Sequence, residues 1–306
     1  MVAVLQGFTV ILIIIGAGYL TALLGVVKGE QRRVLNNVAF YVATPALLFG
    51  VLMRSDPTVL ASPVIVCTCL GAVLVAGMYV LISRLWFRRD LGSTTLGATT
   101  AGYVNSNNLG LPVAVYILGD AAYVAPLILA QVLIFSPVVI SLLEATRGNQ
   151  GGALRAVWRA ASNPITLASL AGLLLAIIDV EPPAFLMEPL DMLGAAAIPL
   201  MLMSFGISLH GQRALQAGEA RIAVVVSSVC KILVMPIVTW VLCLVLHLSA
   251  HETFVAVTIA ALPTAQNIYN YAATYRQAEI QVRDTVFVTT FASLPVIALV
   301  AWLLGP

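Results

Sequence analysis

Apolar residues along this chain fall in runs of about twenty, broken by short polar stretches, without the strict alternation of a half-buried strand. A helix rises about 1.5 Å per residue, so about 20 apolar residues cross a hydrocarbon core about 30 Å thick. The runs predict ten helices, near residues 4–26, 34–53, 61–86, 93–118, 121–145, 160–179, 184–209, 219–246, 252–274 and 280–304. The expected fold class is an all-α integral membrane protein of ten transmembrane helices, with the lipid bilayer as solvent. The first run has no basic n-region and no A-x-A site, so it reads as a span and not as a cleaved signal peptide.

Composition agrees. Of the 306 residues, 61% are hydrophobic and 9% charged, where a soluble domain carries about 25% charged residues. Mean hydropathy is +1.03. A net charge of +2 gives no reason to expect nucleic acid as a partner. Cys67, Cys69, Cys230 and Cys243 all sit in apolar runs and read as small packing residues.

The placement of charge sets a topology. Lys28, Arg32 and Arg33 follow the first helix, and Arg84, Arg88 and Arg89 the third. Arg147, Arg155 and Arg159 follow the fifth, Arg213 and Arg221 the seventh, Arg276 and Arg283 the ninth. Thus 13 of the 15 Lys and Arg lie after odd-numbered helices, whereas loops after even ones hold Arg54 alone. Cytoplasmic loops are rich in Lys and Arg. The expected location is therefore the cell inner (cytoplasmic) membrane, with both termini extracytoplasmic and Asp179, Glu181 and Glu252 on the outer face.

The two halves resemble each other. Val42-Ala43-Thr44-Pro45 in the second helix matches Ala196-Ala197-Ile198-Pro199 in the seventh at an offset of 154. Asn105-Ser106-Asn107-Asn108 in the fourth matches Thr264-Ala265-Gln266-Asn267 in the ninth at an offset of 159, and Tyr116 pairs with Tyr275 at that same offset. Five helices per half require the second half to enter from the opposite side. The reading is an inverted repeat, residues 1–150 against 151–306, as found in several secondary carriers.

Both matched helices carry a polar break. The fourth runs from Gly102 through Asn105, Ser106, Asn107 and Asn108 to Gly110 and Pro112. The ninth runs from Pro263 through Gln266 and Asn267 to Tyr269 and Asn270. Pro lacks an N–H and clashes with the carbonyl four residues back. Irregular backbone at membrane depth survives only when buried in protein or lining a wet cavity, and paired interrupted helices point to a binding site. Each break starts a half-helix whose N-terminus carries about half a positive charge. Two such ends, with donor amides on Asn105, Asn107, Asn108, Gln266 and Asn267, suit an anionic group. The bland alternative is that the amides only brace the helices. Pro45, Gly110, Pro112, Pro199 and Pro263 are the expected hinge positions.

Lys231 lies about twelve residues into the eighth helix, where a cation is costly and functional by default. It either has a charge role, with Glu188 or Asp191 as partner, or snorkels to the membrane edge. Asp120 reads as an exposed turn residue. No His lies at mid-membrane for a serine hydrolase, and no H-E-x-x-H occurs. No enzyme activity, metal or cofactor is expected.

With these residues in hand, the chain resembles the auxin efflux carrier family, which includes plant PIN-formed proteins and bacterial carboxylate carriers. The resemblance runs over nearly the whole chain. It rests on Gly16-Ala17-Gly18-Tyr19-Leu20 with Gly25 and Lys28, Pro45-Ala46-Leu47-Leu48-Phe49, Asn107 through Pro112, and Asn163-Pro164-Ile165-Thr166. It implies a secondary transporter for a small organic carboxylate anion, with crossed broken helices as the site, elevator motion and a homodimer. It further implies a scaffold of helices near 4–53 and 160–209 and a transport domain of helices near 61–145 and 219–304. Two departures stand out: the loop after the fifth helix is short, and the ninth-helix break Gln266-Asn267-Ile268-Tyr269 holds no Gly. Auxin is therefore not implied; malonate, malate and aromatic acids stay open. The rivals are a sodium-coupled organic-anion symporter of bile-acid type, and an intramembrane enzyme or channel.

The charge pattern generates a topology prediction. Cysteines placed at Arg88 and Arg155 should react with an impermeant thiol reagent only from the cytoplasm, and one at Glu252 only from outside. Labelling of both sets from one side would refute the inverted repeat.

Overall fold

The computed structural model describes residues 2–27, 29–58, 62–147, 152–210 and 218–305. Lys28 and Arg213, counted above among the cytoplasmic charges, lie outside the described residues. All regular elements among the described residues are helical, apart from one isolated antiparallel bridge between Val104 and Thr264. Among the described residues, seven helices are long and apolar enough to cross a membrane: Gln6–Leu23, Gln31–Met53, Pro63–Phe87, Ala121–Ala145, Ala184–Leu209, Arg221–Val245 and Glu279–Leu304. An eighth span arises if Leu154–Ala161 and Pro164–Ile177, bent by 57°, count as one.

This is fewer than the ten read from hydropathy, and the reason is physical. The runs near 93–118 and 252–274 are interrupted. Leu91–Gly102 and Ala250–Ala260 extend for 12 and 11 residues before the backbone leaves the helix, about half a bilayer each. The expected sixth helix also differs. The separate helix Gly152–Ala161 precedes it, and Asn163 caps the next helix by accepting the N–H of Ile165 at 2.9 Å. Pro164 at the first helical position enforces the bend. Hydropathy missed Gly152–Ala161 because it is amphipathic: Leu154 and Trp158 are exposed while Ala156 and Ala160 are buried, against Ser136–Ala145.

Proline leaves a recurring mark. One wide π-turn follows each of Val38, Asn105, Ala130 and Val229, spanning Ala39–Ala43, Ser106–Gly110, Gln131–Phe135 and Cys230–Val234. Each is followed, two residues on, by Pro45, Pro112, Pro137 or Pro236. A proline cannot return an N–H to the carbonyl four residues back, and its ring crowds that carbonyl. Widening the turn moves the carbonyl away, and such bulges mark functional sites in helices.

The helices contact one another in two sets. In the first, Val2–Leu23 packs on Ala197–Leu209, and Thr44–Met53 packs on Pro164–Ile177 and Ala184–Ala195. In the second, Pro63–Ile82 packs on Leu91–Gly102, Met235–Val245 and Ala250–Ala260, while Glu279–Leu304 packs on Arg221–Val229 and Ala250–Ala260. Glycine permits the closest approaches, as expected where lipid supplies no hydrophobic drive between helices. A Cβ on Gly18 would lie 2.8 Å from Met203 Cα, and one on Gly194 would lie 2.9 Å from Leu47 Cα. Between the helices, Asp120 caps a turn as expected, accepting from Ala122 N–H at 2.8 Å. Ser249 and Glu252 form a capping box, whose side-chain and backbone donors hold the Glu252 carboxyl below its ordinary range.

Two glycines two residues apart test this packing. Gly16→Ala meets nothing within 4 Å and should leave the melting temperature unchanged or raise it slightly. Gly18→Ala drives a methyl into the Met203 backbone and should cost about 1–3 kcal/mol. Thermal melting in detergent separates them; equal melting would refute the close contact.

Candidate functional site

The interrupted helices meet at their breaks. Beyond Gly102, residues 103–105 are extended and run antiparallel to residues 263–265. Asn105 N–H donates to the Pro263 carbonyl at 2.8 Å, and Ala265 N–H donates to the Tyr103 carbonyl at 3.2 Å. Each break thus satisfies backbone groups of the other, which apolar surroundings could not do.

Side chains lock the junction. Thr264, fully buried, donates through Oγ1 to the Thr100 carbonyl at 2.6 Å, while its N–H donates to Thr289 Oγ1 at 3.2 Å. Gln131 donates through Nε2 to the Val104 carbonyl at 2.9 Å and accepts from the Ser106 hydroxyl. Tyr103 and Tyr271 both reach Ser136 Oγ, at 3.0 and 3.1 Å. Sequence reasoning passed over Gln131, Tyr103 and Ser136. The available signal was a glutamine alone in the apolar fifth helix, inside the π-turn ahead of Pro137.

The expected site residues separate into groups. Asn105 caps the turn Ser106–Gly110, with Oδ1 accepting Asn108 N–H at 3.1 Å. Asn107 Nδ2 donates to Asn108 Oδ1 at 3.2 Å, and Asn108 Nδ2 donates to Gln266 Oε1 at 3.3 Å. Asn105, Asn107, Asn108 and Gln266 therefore form one amide chain across the two breaks. Ser106 is turned away toward Gln131. Asn267 opens the half-helix Asn267–Tyr275 and is exposed, as are Tyr269 and Asn270. Among the described residues, no hydrogen bond joins Tyr269 or Asn270 to the amide chain.

Two polar atoms of this cluster are buried without a partner, Asn105 Nδ2 and Asn107 Oδ1. Asn105 is 3% exposed. A buried amide donor with nothing to donate to costs about 1–3 kcal/mol and is offset by a group that accepts from it.

The hinge positions serve distinct ends. A Cβ on Gly110 would sit 3.1 Å from Leu262 and 3.3 Å from the Asn105 carbonyl, so only a small residue fits easily. Pro112 is buried behind the π-turn, and Pro263 supplies the carbonyl bonded by Asn105. Pro45 and Pro199 lie away from the breaks, on Thr44–Met53 and Ala197–Leu209, although the latter helix touches the turn Ser106–Gly110.

Lys231 is 0% exposed, so it does not snorkel. Its Nζ donates to the Ala260 carbonyl at 2.8 Å and lies 3.1 Å from Met235 Sδ. The expectation of an acidic partner on the seventh helix is corrected. Asp191 is paired with Arg54 at 2.6 Å, both partly exposed, and Glu188 is exposed.

Gln131→Leu should leave the Ser106 hydroxyl and the Val104 carbonyl without their present partner, at about 1–3 kcal/mol for each group left bare. A melting temperature equal to wild type would show that Gln131 does not brace the junction.

A family model described as Membrane transport protein matches residues 3–301. The chain is 24% identical to an uncharacterized transporter of Methanocaldococcus jannaschii, covering 96% of this chain and 97% of that protein. It is 29% identical to a Rhizobium meliloti protein provisionally named a malonate transporter, covering 90% of this chain and 88% of that one. It is 23% identical to an uncharacterized transporter of Escherichia coli, covering 83% of each.

Proposed function

The chain belongs to the Membrane transport protein family, and from that premise we propose that it carries a small organic carboxylate by elevator-type alternating access, with the paired breaks as its site. One observation carries the reading: the buried, unpartnered Nδ2 of Asn105 at the junction of two interrupted helices. A carboxylate oxygen would accept from that group. The N-terminal ends of the half-helices add positive potential there without a full charge. The provisional name of the Rhizobium meliloti relative makes malonate the first probe, with malate and aromatic acids beside it.

In this reading the chain is ten helices in two inverted sets of five, and the breaks cross at mid-membrane. The two contact sets support a division into a scaffold near 4–53 and 160–209 and a moving domain near 61–145 and 219–304, which holds both breaks. A homodimer through the scaffold, in the cytoplasmic membrane, completes the proposal. One observation favours the sodium-coupled rival: Asn107 Oδ1 is an unpartnered acceptor, and an amide oxygen can ligate sodium. Uptake into proteoliposomes with and without sodium separates the two.

The sharpest test is at the amides. Asn107→Ala and Asn267→Ala each remove one bond to the carboxylate, worth about 1.5–3 kcal/mol when charge-assisted, or about tenfold to hundredfold in affinity. Asn→Asp is nearly isosteric but sets a negative charge beside the anion, so it should weaken binding at least as much at neutral pH. Calorimetry with malonate, with melting temperatures alongside, reads both. If the amides only brace helices, Asn→Ala lowers melting temperature and leaves affinity intact. A stable Asn267→Asp protein that binds as tightly as wild type would rule out recognition by Asn267.

A further inference from the structure

The two breaks are closed differently. At the first, neutral groups satisfy the carbonyls: Thr264 Oγ1 on Thr100 and Gln131 Nε2 on Val104. At the second, the helix Ala250–Ala260 ends with the N–H groups of Ala261 and Leu262 turned back to Val257 and Ile259. The N–H of Thr264, which a continuing helix would direct to the Ala260 carbonyl, goes to Thr289 Oγ1 instead. Lys231 fills that place at 2.8 Å. Its Nζ stands at the negative end of a half-helix, where a cation is favoured. Neither of its contacts is a carboxylate, for they are a backbone carbonyl and a thioether. The segment Cys230–Val234 lies against Leu91–Gly102, Pro63–Ile82 and Glu279–Leu304, so Lys231 belongs to the helix set that holds both breaks.

In secondary carriers with broken helices, unwound carbonyls and half-helix C-terminal ends coordinate the coupling cation. Here a side chain of the protein occupies such an end. We propose that Lys231 is a built-in counter-cation for the second break, doing the work of a bound alkali ion, so that the protein needs no metal ion for coupling. The transport consequence rests on the carrier reading above; the placement of the cation does not. A tethered ammonium cannot be exchanged between the two faces of the membrane, so it stabilises the break in every state without drawing on an ion gradient. The thioether of Met235 fits this role, since sulfur is a poor ligand for sodium.

The experiment is a melting series on the purified protein in sodium chloride, methylammonium chloride and N-methylglucamine chloride at equal ionic strength. Wild type should melt at the same temperature in all three. Lys231→Ala should melt lower in N-methylglucamine and regain about half of the loss with methylammonium, which binds at the vacated carbonyl by mass action. Lys231→Met, which refills the volume without charge, should melt lower and regain nothing. Sodium stabilisation of wild type would overturn the proposal. So would a Lys231→Ala protein indifferent to methylammonium, or a Lys231→Met protein as stable as wild type. If Lys231→Ala does not survive purification, the other two proteins decide. The series needs no substrate, so a failed malonate assay leaves its outcome untouched, and a sodium-dependent melt leaves the carboxylate site standing.

Discussion

Backbone groups must be bonded inside a membrane, and the junction at Val104 and Thr264 exists because two helices break that rule together. Either break alone would leave several N–H and carbonyl groups bare in an apolar interior, at a cost of a few kcal/mol each. Pairing the breaks lets Asn105 use the Pro263 carbonyl and Ala265 use that of Tyr103. Everything else near the centre follows from this exchange. Gln131, Thr264 and Thr289 are polar because they finish it. Gly110 is small because Leu262, Val124 and the Asn105 carbonyl crowd its position.

Much of this was legible in the sequence, for identifiable reasons. Gly102, the Asn105–Asn108 run, Pro112 and Pro263 announce breaks because polar residues flanked by Gly and Pro cannot continue an apolar helix. The resemblance drawn from Pro45–Phe49, Asn107–Pro112 and Asn163–Thr166 to the auxin efflux carrier family is borne out by the family match over residues 3–301. The antiparallel bridge was not legible, because which residue of one break faces which of the other depends on how the helices tilt. Gln131 was missed because a single glutamine in an apolar run has no periodic signal. The helix Gly152–Ala161 was missed because Arg155 and Arg159 interrupt its apolar residues, and a hydropathy window averages over its two faces. The partner of Lys231 was misjudged because acids were sought, whereas a backbone carbonyl supplies the contact.

The distribution of small residues explains how a chain so apolar keeps two contact sets distinct. Lipid tails match Leu and Val in polarity, so helices associate through close backbone fit. Gly18 and Gly206 allow Val2–Leu23 and Ala197–Leu209 to touch backbone to backbone, and Gly172 and Gly194 do the same around Thr44–Met53. Within the second set, a Cβ on Gly102 would lie 2.5 Å from the Ala72 carbonyl oxygen. Cross-set contact is concentrated where Ala114–Leu118 meets Val2–Leu23 and Ser106–Gly110 meets Ala197–Leu209. Glycine serves there too, for a Cβ on Gly7 would lie 2.2 Å from the Tyr116 carbonyl oxygen.

In the proposed reading, neutral amides at the junction suit a site that must also release what it binds. A buried ion pair between an arginine and a carboxylate is slow to separate, since parting leaves a bare charge in a poor solvent. Asn105, Asn107, Asn108 and Gln266 would offer dipoles instead: without an anion Asn107 stays bonded to Asn108 and Asn108 to Gln266, while Asn105 Nδ2 is left without a partner. In the proposed arrangement the full positive charge is held one helix away, on Lys231, whose Nζ is committed to the Ala260 carbonyl. That arrangement keeps positive potential in the region without giving the anion a cation to bond. On that reading, the free energy that holds the site together is separated from the free energy that would hold its ligand, which suits repeated binding and release across a membrane.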